Sequence, residues 1–82
     1  MGYYYTYIIF SESTGRYYIG HTHDLTNRLF EHNSGETKSN KAGIPWMLMW
    51  SMKFESRSEA MAIEKKIKSR GAARFLIDQQ KS

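Results

Sequence analysis

The run Tyr3-Tyr4-Tyr5-Thr6-Tyr7-Ile8-Ile9-Phe10 places the tightest constraint on the fold. Aromatic and β-branched residues follow one another without a breaker, which suits a strand buried on much of both faces. A chain of 82 residues must build that burial from one small core, since a globule of this size hides roughly 63% of its unfolded surface. With 40% hydrophobic and 24% charged residues and a single Pro, the composition is that of one folded domain over residues 1–82 rather than a disordered chain.

The remaining elements follow from turn chemistry and periodicity. Ser11-Glu12-Ser13-Thr14-Gly15 is a turn, and Arg16 to Gly20 returns as a second strand to close an antiparallel hairpin. Asp24 can cap a helix carrying Leu25, Leu29 and Phe30 that stops near Asn33-Ser34-Gly35. Residues 33–45 carry no periodicity and read as a long polar loop. Trp46 to Phe54 alternates, with Trp46, Leu48, Trp50, Met52 and Phe54 expected on one face of a third strand. Ser56 and Glu59 form a capping box for a helix that carries Ala60, Ile63 and Ile67 to about Ser69. Gly71 breaks that helix, and Ala72 to Gln80 forms a last one with Phe75, Leu76 and Ile77 as its apolar residues. The predicted fold class is α+β, a small three-stranded antiparallel sheet with flanking helices in the order β-β-α-β-α-α.

The absence of Cys excludes disulfides, thiolate zinc sites, iron–sulfur clusters and a Cys nucleophile. No apolar run approaches the roughly 18 to 20 residues of a membrane span, so a cytoplasmic protein with no membrane partner is expected. The formal charge of +4 is unevenly placed. The first 41 residues balance four bases against four acids, whereas the second half sets eight bases against four acids. Five of those bases lie between Lys65 and Arg74, a local cluster that suits a polyanion or a solvated helix face.

Several polar residues fall where a core would be expected. On a wheel of about 100° per residue, Arg28 and His32 share an arc with Leu25 and Leu29. Glu64 borders the stripe of Ala60 and Ile67, four residues from one and three from the other. A charge there must pair or line a cleft; a salt bridge to Arg28 or to a neighbouring Lys would satisfy it. Tyr3, Tyr5 and Tyr7 share one strand face, and Tyr18 stands on the partner strand, so buried hydroxyls on that face need partners.

These residues carry a family resemblance. Tyr5-Thr6-Tyr7 stands for Gly-Ile-Tyr and Tyr18-Ile19-Gly20 is an intact Tyr-Ile-Gly. Asp24-Leu25, Arg28-Leu29, Glu31-His32-Asn33-Ser34-Gly35, Pro45-Trp46, Ser58-Glu59-Ala60 and Glu64-Lys65-Lys66-Ile67-Lys68 follow in order. From about Tyr3 to Arg70 the chain resembles the GIY-YIG endonucleases, above all single-domain bacterial members related to the nuclease domain of the excision-repair subunit.

The resemblance implies metal-dependent hydrolysis of DNA phosphodiesters, hence a hydrolase. Tyr7 would be the general base and Tyr18 would orient water and phosphate. Arg28 would face the phosphate, and His32 would be a further catalytic residue, at a site that is His or Tyr in relatives, within reach of the Tyr7 hydroxyl. Glu64 would hold one Mg²⁺ or Mn²⁺ whose other positions are filled by water and phosphate. His21, Lys38, Lys41, Lys65, Lys66, Lys68 and Arg70 would contact DNA, branched or damaged forms included, and target choice would need a partner protein. A free phenol titrates near 10, so Tyr7 would need its pKa lowered or a relay. Three positions depart from the family pattern: Tyr5 replaces Gly, His21 stands where a base often follows the triplet, and no Asn follows Glu64. The alternative is a non-catalytic nucleic-acid binding module on the same fold, which would use the aromatic and basic residues but has no need of Glu64 near a phosphate.

Overall fold

The computed structural model describes residues 2–35 and 38–81, the side chains of residues 38–40 excepted. The elements run in the expected order: β1 (Tyr4–Ser11), β2 (Arg16–Thr22), α1 (Leu25–Ser34), β3 (Trp46–Phe54), α2 (Arg57–Arg70) and α3 (Ala72–Gln80). β1 is the middle strand of a three-stranded antiparallel sheet of order β2-β1-β3. Its place explains its composition: Thr6, Tyr7, Ile8 and Ile9 are all buried, two toward each face of the sheet.

The alternation of β1 divides the core in two. Tyr7 and Ile9 point to a first face, where they pack with Trp46 and the half-buried Leu25, Leu29 and Ile44. Ile8 points to a second face, with Ile67, Ala72 and the half-buried Ile19, Trp50, Ile63, Phe75 and Leu76. Helix α1 therefore covers the first face, while α2 and α3 cover the second. A buried hydrogen bond from Thr6 Oγ1 to the Ala60 carbonyl, 2.7 Å long, fixes α2 against β1.

Local signals close the elements as the sequence predicts. The Asp24 side chain accepts from the Asn27 amide at 3.1 Å, and α1 ends at Gly35. Both halves of the Ser56 and Glu59 capping box are formed. Gly71 separates α2 from α3, and α3 spans the expected residues.

Three expectations need correction. Strand β2 continues past Gly20, because Thr6 pairs with His21 and Tyr5 with Thr22, and this puts His21 in the ladder on the second face. The loop before β3 contains a 3-10 segment at Lys38–Gly43.

The third correction concerns β3. Its pairing with β1 slips between Ile8 and Ile9, whose partners are Trp50 and Leu48, leaving Met49 as a bulge. One extra residue reverses the alternation. Trp46 and Leu48 consequently lie on the first face, while Trp50, Met52 and Phe54 lie on the second, instead of all five sharing one side. Two smaller departures are Phe30, which is 63% exposed, and Ile77, also exposed.

Candidate nucleic-acid interface

The predicted residues fall into two groups separated by the sheet. On the first face, Tyr7, Tyr18, His32 and Trp46 form a ring cluster. The Tyr18 and His32 rings are 4.9 Å apart between centroids, and Tyr7 and Tyr18 are stacked at 6.3 Å. Tyr7 hydroxyl and His32 Nε2 share a buried hydrogen bond of 3.2 Å. Gly20 makes this possible, because a Cβ there would come within 2.7 Å of the Tyr7 hydroxyl. Gly43 has the same role on the other side of the cluster, where a Cβ would overlap the Trp46 indole.

Burial pushes the Tyr7 phenol well above its ordinary value; the Tyr18, Glu64 and Glu31 charges add to this, and Arg28 opposes it. A general base needs the opposite shift. Burial likewise lowers the His32 pKa, helped by Arg28 and opposed by Glu31. The pair is thus a neutral phenol against a neutral imidazole at physiological pH, a satisfied polar core.

Glu64 belongs to the other group, on the second face with His21. His21 Nδ1 donates to Glu64 Oε1 at 2.5 Å, and Lys68 Nζ donates to Oε2 at 2.7 Å. Burial raises the Glu64 pKa, but these hydrogen bonds and charges outweigh it and hold the carboxyl below its ordinary range. Of the two pairings open to Glu64 in the sequence, the lysine is used; Arg28 lies 3.4 Å from Glu31 instead. Both Glu64 oxygens therefore have a partner, one the imidazole and the other the ammonium.

The basic residues also divide. Lys68 is taken by Glu64, and Arg70 forms a two-pronged clasp on Asp78 at 2.9 and 3.1 Å that joins α2 to α3. Lys41, Lys65 and Lys66 are exposed. The side chain of Lys38 lies outside the described residues.

Where the start of β1, the end of β2 and the first turns of α1 and α2 meet, a cleft of about 410 Å³ opens, lined by Tyr4, His21, Thr22, His23, Arg28 and Arg57. Arg28 is drawn into it by α1, and Arg57 by α2. Arg57 and His23 were not singled out from the sequence, although a signal exists for the arginine. The capping box makes Arg57 the first helical residue, where the positive end of the helix macrodipole disfavours a cation. A second cleft of about 570 Å³ lies at the other end of β2, lined by residues that include Thr14, Arg16, Tyr18, Gly43 and Trp46.

The chain matches the GIY-YIG catalytic domain over residues 3–76 and belongs to that family. It is 44% identical over 55 residues to a UPF0213 protein of Streptococcus pneumoniae serotype 4, covering 66% of this chain and 56% of that one. It is 40% identical over 73 residues to a UPF0213 protein of Streptococcus agalactiae serotype V, covering 85% and 83%. The solution structure of a UPF0213 protein from Bacillus halodurans aligns at a TM-score of 0.55 and 30% identity, covering 95% of this chain and 81% of that one. The chain spans little more than half the length of the pneumococcal relatives it matches.

These findings overturn the expected metal-dependent nuclease. Among the described residues no group of three or more His, Cys, Asp or Glu could hold a metal ion. The relatives are named UPF0213 proteins, neither nucleases nor excision-repair subunits. The fold is that of the family, whereas the hydrolase, endonuclease and magnesium-binding assignments lack support. Among the described residues no helix is long and apolar enough to cross a membrane.

Proposed function

We propose that this chain is a non-catalytic nucleic-acid binding module that grips the phosphate backbone of DNA. The observation that carries this reading is the cleft between β2, α1 and α2, which contains Arg28 and Arg57 together with His21 and His23 and, among the described residues, is lined by no carboxylate. Arg57 and His23 have no ion-pair partner among the described residues. Two guanidiniums flanked by imidazoles suit a phosphate, since Arg presents a planar fork of donors to its oxygens. Glu64 would repel DNA as a bare carboxylate, but its two oxygens are held by Lys68 and by His21, the latter itself part of the cleft lining. Selectivity for branched or damaged DNA would then come from a partner protein.

Chelation tests this reading. A labelled oligonucleotide should be retained equally with EDTA and with Mg²⁺, and should be recovered at full length after incubation with Mg²⁺. Release on chelation, or shorter products that appear only with Mg²⁺, would overturn it.

A further inference from the structure

Edge strand β2 connects the arginine cleft to the second cleft, and the two have different chemistry. The first cleft is polar. The second presents the Tyr18 ring, 37% exposed, in one lining with Arg16 and Trp46. Arg16 and Tyr18 are two residues apart on β2 and share the first face of the sheet, opposite Ser11 and Ile9. One side of the Tyr18 ring is held by His32 and Tyr7, and the Trp46 ring stands edgewise at 6.3 Å. The ring is thereby fixed before any ligand arrives. Among the described residues Arg16 has no carboxylate partner. The 3-10 segment borders this cleft through Ala42 and Gly43.

We infer that the second cleft takes an unstacked nucleobase on Tyr18, within reach of the Arg16 guanidinium, from a single strand whose phosphates lie in the arginine cleft. This rests on the nucleic-acid reading above and adds the substrate class to it. Tyr18 and Thr22, which share the first face and line the two clefts, are four residues apart on β2, about 13 Å. A stacked strand rising about 3.4 Å per nucleotide spans that distance in about four nucleotides, and an unstacked strand needs fewer. A duplex keeps its bases paired inside the helix and cannot offer one to Tyr18 while its backbone sits in the arginine cleft. A fixed aromatic ring with a guanidinium beside a cationic track is the arrangement by which proteins hold single strands.

Fluorescence anisotropy at fixed salt tests the inference with three probes: a labelled single-stranded oligonucleotide, its duplex, and the same single strand with abasic sites. Wild type should prefer the intact single strand. Tyr18→Ala should weaken binding to it by about tenfold, with no further loss on the abasic strand, and Tyr18→Trp should restore affinity if the ring alone matters. Equal affinity of wild type and Tyr18→Ala for the intact strand, or tighter binding of the duplex, would overturn the inference. Tyr18→Trp guards against misfolding, since a folded Trp variant that binds like the Ala variant also overturns it. If wild type binds none of the three probes, the fault lies in the nucleic-acid reading itself.

Discussion

His32 is the most buried polar side chain of α1, at 1% exposure, and it shares a hydrogen bond with a phenol that is itself buried. Unfolding releases His32 to titrate near 6.5, whereas in the fold its pKa is lower. Between those values the unfolded chain holds more protons, so acid favours unfolding. The stabilising contribution is complete above about 6.5 and is lost as pH falls toward the folded value. Glu64, also held low, adds a second loss as pH falls through 4.5 and below. The melting temperature should therefore drop as pH is lowered from about 7 to 5.5, and His32→Gln should flatten that slope while keeping an acceptor for Tyr7. An unchanged slope in the variant would mean that another group carries the acid sensitivity. At this scale the sequence is informative up to a point. The wheel places His32 among Leu25 and Leu29, but the sign of the Tyr7 shift depends on how deeply the strand is covered, which spacing does not encode.

Among the elements, the joint between α1 and β3 is the most demanding. Asn33 closes it like a backbone fragment: its amide donates to the Trp46 carbonyl at 3.1 Å and its carbonyl accepts the Trp46 amide at 2.6 Å. Asn33→Ala should cost about 1–3 kcal/mol, because one substitution leaves a donor and an acceptor at the entrance to β3 without these partners. Chemical denaturation would measure it, and a change below about 0.5 kcal/mol would contradict the assignment. The capping box, the Gly71 break and the bounds of α3 were legible because each is written in adjacent residues. The bulge at Met49 was not, because Trp46 to Phe54 alternates without interruption and only its register against β1 reveals the slip. For the same reason β2 ran two residues further than its turn chemistry implied. His21 thus entered the ladder opposite Thr6, where it meets Glu64 from α2.

Over the whole molecule, the charge of +4 is less concentrated than the run from Lys65 to Arg74 suggests. Lys68 and Arg70 are bound to acids, one neutralising Glu64 and the other clasping Asp78. The cations that converge on a cleft come from residues far apart in sequence, Arg28 and Arg57, which a linear charge count cannot bring together. The family motif was legible because its residues hold fixed places on the sheet and helices. The chemistry attached to it was not, since whether a carboxylate is free or already paired is a tertiary property. The salt dependence of DNA affinity tests the central claim most directly, measured for wild type and for the double variant R28A/R57A. Removing one arginine–phosphate pairing should lower the slope of log affinity against log salt by about one, so the double variant should fall by about two and bind more weakly on every sequence. An unchanged slope in a folded double variant would contradict the assignment of this cleft to the phosphate backbone.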